Sequence, residues 1–297
     1  MHLRSYLFRK VTIIGIGLIG GSLGKAIRKN HLAREVVGVA QRQATLTTAI
    51  KNQAIDHGYL DVKKAVINAD LVVLATPVSI ITGILSMIGP HLKRNCIITD
   101  VGSSKQSIVH AAQQYLSPSV FFVGSHPLAG SEKRGVQYAQ EELFKNSLCI
   151  MTPTESTHRM ARERVKLLWT KLGCQVKFLS PEEHDRILAY ISHLPHVVAY
   201  ALMETIPPEH LTYAAQGLKD STRIASSSPS MWTDICLGNA KNLIRTLDDL
   251  VKNLSAIRKA IIASNPRELT EHFQAGKQKR DTIAGNAATP ENNSDHD

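Results

Sequence analysis

Apolar and polar positions change rhythm along this chain. Over the first 180 residues, short β-branched runs alternate with segments of helical spacing. The runs are 11–14, 36–39, 71–75, 96–99, 121–123, 148–151 and 176–178, each short enough to be a buried strand. Between them, helical patterns cover 22–30, 46–53, 79–88, 105–115 and 157–172. That alternation predicts a parallel sheet with crossover helices. After about Pro181 the strand signals stop, and apolar residues recur at three and four spacing, as in Leu243, Leu247, Leu250, Leu254, Ile257 and Ile261. A long pattern over 230–262 reads as one amphipathic helix. Its stripe could be buried by a partner subunit or by its own chain, and spacing alone leaves both open. The last stretch, from residue 284, is polar and predicts a disordered tail. The pattern divides the chain into 1–180, 181–283 and 284–297.

The most apolar stretch, 71–88, is close to membrane-spanning length but contains Thr76, Pro77, Ser79, Thr82, Gly83 and Ser86. It reads as a buried strand, a turn and an amphipathic helix. Near the start, the first run meets Gly15, Gly17 and Gly20, with Leu18 and Ile19 between them, and a helical pattern follows. Strand, glycine turn, helix is the order in which glycines cradle a dinucleotide. Gly15 makes the tight turn, Gly17 lets a pyrophosphate approach, and Gly20 lets the helix pack on the strand. The helix N-terminus adds free N–H groups and a positive dipole end. A glycine turn with no ligand is the plainer alternative. The expected fold is α/β followed by all-α: a Rossmann-like dinucleotide-binding domain, then a helical domain. Ligands in such sheets sit beyond the carboxyl ends of the strands. Thr76-Pro77, the block 100–105 and the block 124–130 all follow strands.

Composition narrows this little. At 297 residues there is ample core for one large or two ordinary domains. The net charge of +10 suits an anionic substrate or a phosphate cofactor, and the basic residues are scattered without the dense runs that nucleic acid would favour. Cys96, Cys149, Cys174 and Cys236 are far apart, with no CxxC, so a reduced cytoplasmic protein is expected. The first ten residues contain no apolar core of a signal peptide.

The end of the second strand sets the cofactor. NAD sites usually place an acid there, whereas the sequence reads Ala40-Gln41-Arg42. Arg42 is placed to meet a 2′-phosphate, which favours NADP; with Arg42 solvated and Gln41 on the ribose, NAD is possible. His126 follows a strand directly, where a group near the nicotinamide belongs. A neutral imidazole there can take a hydroxyl proton as hydride leaves the same carbon, or it can be a buried ring bonded to a carbonyl. His193 and His196 are three apart on a helical segment. Metal ligation is conceivable, but apart from the nearby His184 and Asp185 there is no further His or acid cluster at zinc spacing, so they read as polar groups of a cleft or core, and no metal is expected. Arg223 can anchor a carboxylate bidentately, or pair with Asp220 on the surface.

Taken together, GIGLIGGSLGKAI, LVVLATP, ITDVGSSK, VGSHPLAGSEKRG, EEHDRILAYISHLPHVVAYAL and GLKDSTRIASSSPSMWTDI resemble, in order, the prephenate and arogenate dehydrogenases of tyrosine biosynthesis. The likeness spans about residues 10–281, and SHPLAG, SHLPH and KD-x-TRIA are its specific blocks. It implies that His126 is the catalytic base on the ring hydroxyl and that Ser103 lies near that hydroxyl. It implies that Arg223 binds a substrate carboxylate, and that Glu132 and Asp220 belong to an ionic network gating the pocket. Ser192 and His193 would line the site, with His196 at its edge. It further implies a homodimer joined through the helical domain. His196 resembles prephenate-preferring members, while the missing acid after the second strand resembles some arogenate enzymes that use NADP. No room is expected for a fused mutase before residue 10 or a regulatory domain after Ile283. A β-hydroxyacid dehydrogenase, an imine reductase or a non-catalytic dinucleotide sensor would share the glycine turn but would not need His126, Ser103 and Arg223 together.

Overall fold

The computed structural model describes residues 6–131 and 133–285. By internal packing it separates into two units, Met1–Leu243 and Ile244–Asp297.

The first unit is built on a sheet of eight strands. In chain order they are β1 (Phe8–Ile14), β2 (Ala33–Val39), β3 (His57–Tyr59), β4 (Leu71–Leu74), β5 (Ile97–Asp100), β6 (Phe121–Pro127), β7 (Leu148–Thr152) and β8 (Gln175–Phe178). Their spatial order is β3-β2-β1-β4-β5-β6-β7-β8. Helices α1 (Leu18–Lys29), α2 (Gln43–Lys51), α3 (Val62–Val66), α4 (Val78–Ile88), α5 (Gln106–Tyr115) and α6 (Arg159–Lys171) are interleaved with the strands. Alternate residues feed two cores. Val11, Ile13, Leu71 and Val73 join one apolar cluster, while Ile14, Val72 and Leu74 join the other. A strand with both faces buried is apolar throughout, hence the continuous runs. Strand order reverses between β1 and β4, which puts the crevice for a ligand at Gly15–Gly20 and Thr76. The apolar stretch 71–88 is β4, a turn and α4, and among the described residues no helix is long and apolar enough to cross a membrane.

Three expectations need correction. The sheet is not wholly parallel. Phe121–Val123 pair in parallel with β5, but Gly124–Pro127 pair antiparallel with β7. His126, expected directly after a strand, therefore lies within one, opposite Ile150. The missed β3 has three mostly exposed residues and no apolar signal; it exists because Val37–Val39 offer it an edge. Finally, the pattern 230–262 is two helices.

Beyond the sheet the chain is helical: α7 (Pro181–Leu188), α8 (Leu194–Thr205), α9 (Gln216–Thr222), α10 (Pro229–Gly238), α11 (Ala240–Ile262) and α12 (Pro266–Gly285). The break falls at Asn239, which follows Gly238 and leaves helical backbone geometry (φ −130°, ψ 30°), while its side chain donates to the Asp185 carbonyl at 2.7 Å. A π-helical turn, Ala189–His193, links α7 to α8. It comes just before Pro195, which can neither donate to the preceding turn nor fit against it in regular α geometry. The second unit contains most of α11, and α12 capped by Asn265, whose Oδ1 accepts from the Glu268 N–H. On α11, Ile244, Val251, Leu254 and Ile261 are exposed. Of the tail expected from residue 284, residues 286–297 lie outside the described residues, as do residues 1–5.

Candidate active site

The cofactor end is made of backbone. Gly15 has φ +100°, and a Cβ there would stand 2.5 Å from the Ala75 carbonyl oxygen. At Gly20 a Cβ would come within 2.0 Å of the Gly15 carbonyl oxygen, so the helix can approach the strand only without one. Gly17 differs: a Cβ would meet nothing within 4 Å. It is the N-cap of α1, no side chain caps that helix, and its first turn carries no acid. Uncapped N–H groups, the dipole and an open cradle at Gly17 fit a pyrophosphate. Leu18 and Ile19 open the same helix. Thr76, following β4, packs against Gly15, and its Oγ1 is buried with no partner in the protein, while Pro77 is the N-cap of α4. At the end of β2, Gln41 and Arg42 are exposed, and Arg42 is the N-cap of α2.

The block after β6 reaches this turn: Ile19 Cδ1 lies 3.8 Å from where a Cβ on Gly130 would stand. His126, on β6, is held from below. Asp100, at the end of β5, accepts from the Ser125 N–H at 3.1 Å, and Thr99 and Ser125 share a hydroxyl contact of 2.9 Å. Lys105 is fully buried, paired with Asp100, and donates to the Ser125 carbonyl at 2.8 Å. These contacts fix the backbone on which His126 stands.

From the helical side, α7 brings His184 and Asp185, both buried. Nδ1 of His126 faces Nε2 of His184 at 2.9 Å, and Nδ1 of His184 faces Oδ1 of Asp185 at 2.8 Å. Burial pushes the His126 pKa well below the usual imidazole value, and the nearby His184, Lys105 and His193 push the same way. His126 is therefore neutral near pH 7. For Asp185, burial works upward, but hydrogen bonds from His184 and the N–H groups of Gln106 and Lys105 outweigh it and hold the carboxyl below its ordinary range.

His193 stands at the end of the π turn. Asn239 donates to its Nδ1 at 3.2 Å, so the ring proton is assigned to Nε2, which is buried near the Ser103 carbonyl but makes no well-formed hydrogen bond. Burial lowers its pKa to about 4; Asp185 opposes this, His184 and His196 add to it, and the Ser103 carbonyl opposes it. Ser103, half-buried after β5, is thus beside His193. His196 is stacked on Trp232 of α10, with ring centres 3.5 Å apart, and its Nδ1 donates to the Ser192 carbonyl at 2.9 Å. Burial lowers the His196 pKa, the Ser192 carbonyl raises it, and the positive charge of Arg223 lowers it. The Trp232 Nε1 is also buried without a partner. Unpaired buried donors cost about 1–3 kcal/mol each unless a ligand supplies the acceptor.

The structure thus brings together His126, Ser103, His193 and His196, with the Ser192 carbonyl on His196 and Arg223 opening a 3-10 turn packed on α8. It leaves Asp220 outside: that carboxylate is exposed and accepts from Gln216 at 2.7 Å, and among the described residues no ion pair joins it to Arg223. Glu132 lies outside the described residues. No group of three His, Cys, Asp or Glu among the described residues is arranged to hold a metal. His184, Asp185, Asn239 and Trp232 were not anticipated. His184 and Asp185 stood in plain sight in EEHD, but nothing local says that they meet a strand 58 residues away.

A dinucleotide crevice facing a buried neutral histidine is the site of a nicotinamide-dependent dehydrogenase. The profile described as prephenate dehydrogenase, nucleotide-binding domain, matches residues 23–178, and that described as prephenate dehydrogenase, dimerization domain, matches residues 180–275. The chain is 37% identical over 280 residues to a prephenate dehydrogenase of Bacillus subtilis, covering 92% of this chain and 76% of that one. It is 34% identical to a cyclohexadienyl dehydrogenase of Zymomonas mobilis, over 92% of this chain and 96% of that one. Among solved structures, prephenate dehydrogenase from A. aeolicus with hydroxyphenyl propionate and NAD+ aligns at TM-score 0.86 and 32% identity, covering 95% of this chain and 100% of that one. The chain belongs to the prephenate dehydrogenase family.

Proposed function

We propose that this protein oxidises prephenate with loss of carbon dioxide, yielding 4-hydroxyphenylpyruvate, with NADP favoured over NAD. The observation that carries the reading is His126: a buried imidazole with a depressed pKa, on a strand whose following loop packs against the glycine turn. The substrate is a cyclohexadiene with a hydroxyl on one ring carbon and a carboxylate on the carbon opposite. A bound nicotinamide ring supplies the hydride acceptor. His126 takes the hydroxyl proton, so the developing carbonyl is not held back by its own proton. Aromatisation then drives off the opposite carboxylate. Ser103 positions the hydroxyl, Arg223 binds a carboxylate, and Ser192, His193 and His196 line the pocket. Glu132 and Asp220 would act further out, in gating.

Gly15, Gly17, Leu18, Ile19 and Gly20 would hold the pyrophosphate, Thr76 and Pro77 the nicotinamide side, and Gln41 and Arg42 the adenosine ribose. The exposed Arg42 at a helix N-terminus, with no acid after β2, supports the 2′-phosphate. Arogenate is the second reading, favoured by the same missing acid. A homodimer in the cytoplasm is part of the proposal, supported by the dimerization-domain match, the exposed apolar residues of α11 and four free cysteines.

The test crosses prephenate and arogenate with NAD and NADP in one purified preparation. Prephenate with NADP is expected to give the highest kcat/KM. Turnover of arogenate without prephenate would overturn the substrate, and a preference for NAD the cofactor.

A further inference from the structure

The reaction needs a bare ring nitrogen on His126, and an isolated neutral imidazole can carry its proton on either nitrogen. The surroundings decide which. Asp185 is saturated as an acceptor: its Oδ1 takes the Lys105 N–H at 2.7 Å and its Oδ2 takes the Gln106 N–H at 3.0 Å and the Gln106 side-chain amide at 3.2 Å. An ionised carboxylate cannot donate, so the 2.8 Å contact requires a proton on His184 Nδ1. Neutral His184 then has a bare Nε2, which can only accept. That nitrogen is 2.9 Å from His126 Nδ1, so the proton of His126 must be there. The remaining nitrogen, Nε2, is left as the base. Each link forces the next because all three groups are buried.

We propose that His184 and Asp185 are positioning residues that fix the tautomer of His126, leaving its Nε2 free to take the substrate proton. This rests on the reading of His126 as the base. In the proton-transfer step the substrate O–H bond breaks and an N–H bond forms at Nε2. The resulting imidazolium keeps its Nδ1–H on His184, whose opposite nitrogen still faces the Asp185 carboxylate. The charge created on His126 is thereby answered one imidazole away, with no second proton needing to move. Asp185 has another job, accepting from the first N–H groups at the start of α5, so its loss would disturb folding as well. His184 is the cleaner place to test.

Two measurements on the full-length protein decide the matter. In protein labelled with [15N]histidine at pH 7.5, the His126 ring is expected as the Nδ1–H tautomer, with His126→Asn used to assign its signals. A proton on Nε2 would overturn the proposal without any variant having to fold. The second measurement compares His184→Gln with His184→Leu. The glutamine amide oxygen falls near the position of the imidazole Nε2 and can accept from His126; leucine cannot. His184→Leu is expected to lose about 10²-fold in kcat with the KM of both substrates within about threefold, and His184→Gln to recover most of that loss. A leucine variant within threefold of the parent overturns the proposal, and so does a glutamine variant no better than leucine. If His126→Asn is inactive while both His184 variants are normal, the base stands and only the relay falls.

Discussion

The two halves of the site are made of different material. At the crevice between β1 and β4 the chain presents backbone: three glycines, an uncapped helix start and one unpartnered hydroxyl. Around β6 it presents side chains: three histidines, Asp185, Asn239 and the Lys105–Asp100 pair, every one of them buried. Backbone N–H groups carry partial charges that cost nothing to keep near water, so the cofactor end can stay open and take a large, mobile anion. Titratable groups out of water are costly unless each is answered by another. The catalytic end is therefore closed on itself, and burial itself keeps His126 neutral. Under the proposed function, cofactor binding draws on open backbone and proton transfer on buried side chains.

The largest effect should follow from removing the base. His126→Asn is expected to lower kcat by about 10³-fold while the cofactor dissociation constant stays within about threefold. If cofactor binding fell as steeply as turnover, the two halves would not be separable. Two glycine substitutions then probe the backbone half from opposite sides. Gly20→Ala pushes a Cβ to 2.0 Å from a carbonyl oxygen, and thermal or urea unfolding should show a loss of about 1–3 kcal/mol. Gly17→Ala places its Cβ in open space, so unfolding should change by no more than about 1 kcal/mol. Its cofactor affinity, measured by fluorescence titration, should still fall about tenfold, because the methyl group occupies the approach of the pyrophosphate. Equal stability losses at both positions would mean that Gly17 is only a turn residue.

The same contrast explains what could be read in advance. The glycine turn is local: strand, turn and helix lie within one short stretch, and each glycine's conformation follows from its neighbours. Only the helix start was misjudged, at Ser22 in place of Leu18, because Gly20 and Gly21 look like turn residues although close packing requires them inside the helix. The histidine and arginine candidates were legible from position and residue chemistry, their roles and Ser103 only from a resemblance carried by six separated blocks, and the structure brings His126, Ser103, His193 and His196 into one region. What could not be read is how they touch. The antiparallel pairing that puts His126 opposite Ile150 is a register between distant strands. The π turn is a response to Pro195, and the stack of His196 on Trp232 joins α8 to a helix that begins 24 residues after it ends. Asp220 shows the opposite error. Its i, i+3 spacing from Arg223 suggests a pair, yet Arg223 begins a 3-10 turn at the end of α9 and the carboxylate goes to Gln216 instead.

The smallest expected effect lies at Arg42, the one charged side chain proposed to serve the cofactor half. Arg42 is exposed and its backbone forms the N-cap of α2, so any contact that it makes to the proposed 2′-phosphate would be made in water. A contact made in water is weak, because the gain in charge pairing is offset by lost hydration and side-chain freedom. Arg42→Ala is accordingly expected to raise the KM for NADP only about five- to tenfold. The KM for NAD, which has no 2′-phosphate, should stay within about twofold, and the unfolding midpoint should be unchanged. Steady-state kinetics with both dinucleotides at saturating prephenate would measure this. An equal rise for both would place Arg42 on the shared ribose or pyrophosphate and remove the argument for NADP. No change for either would leave Gln41 to hold the ribose, and the cofactor half would then be backbone almost throughout.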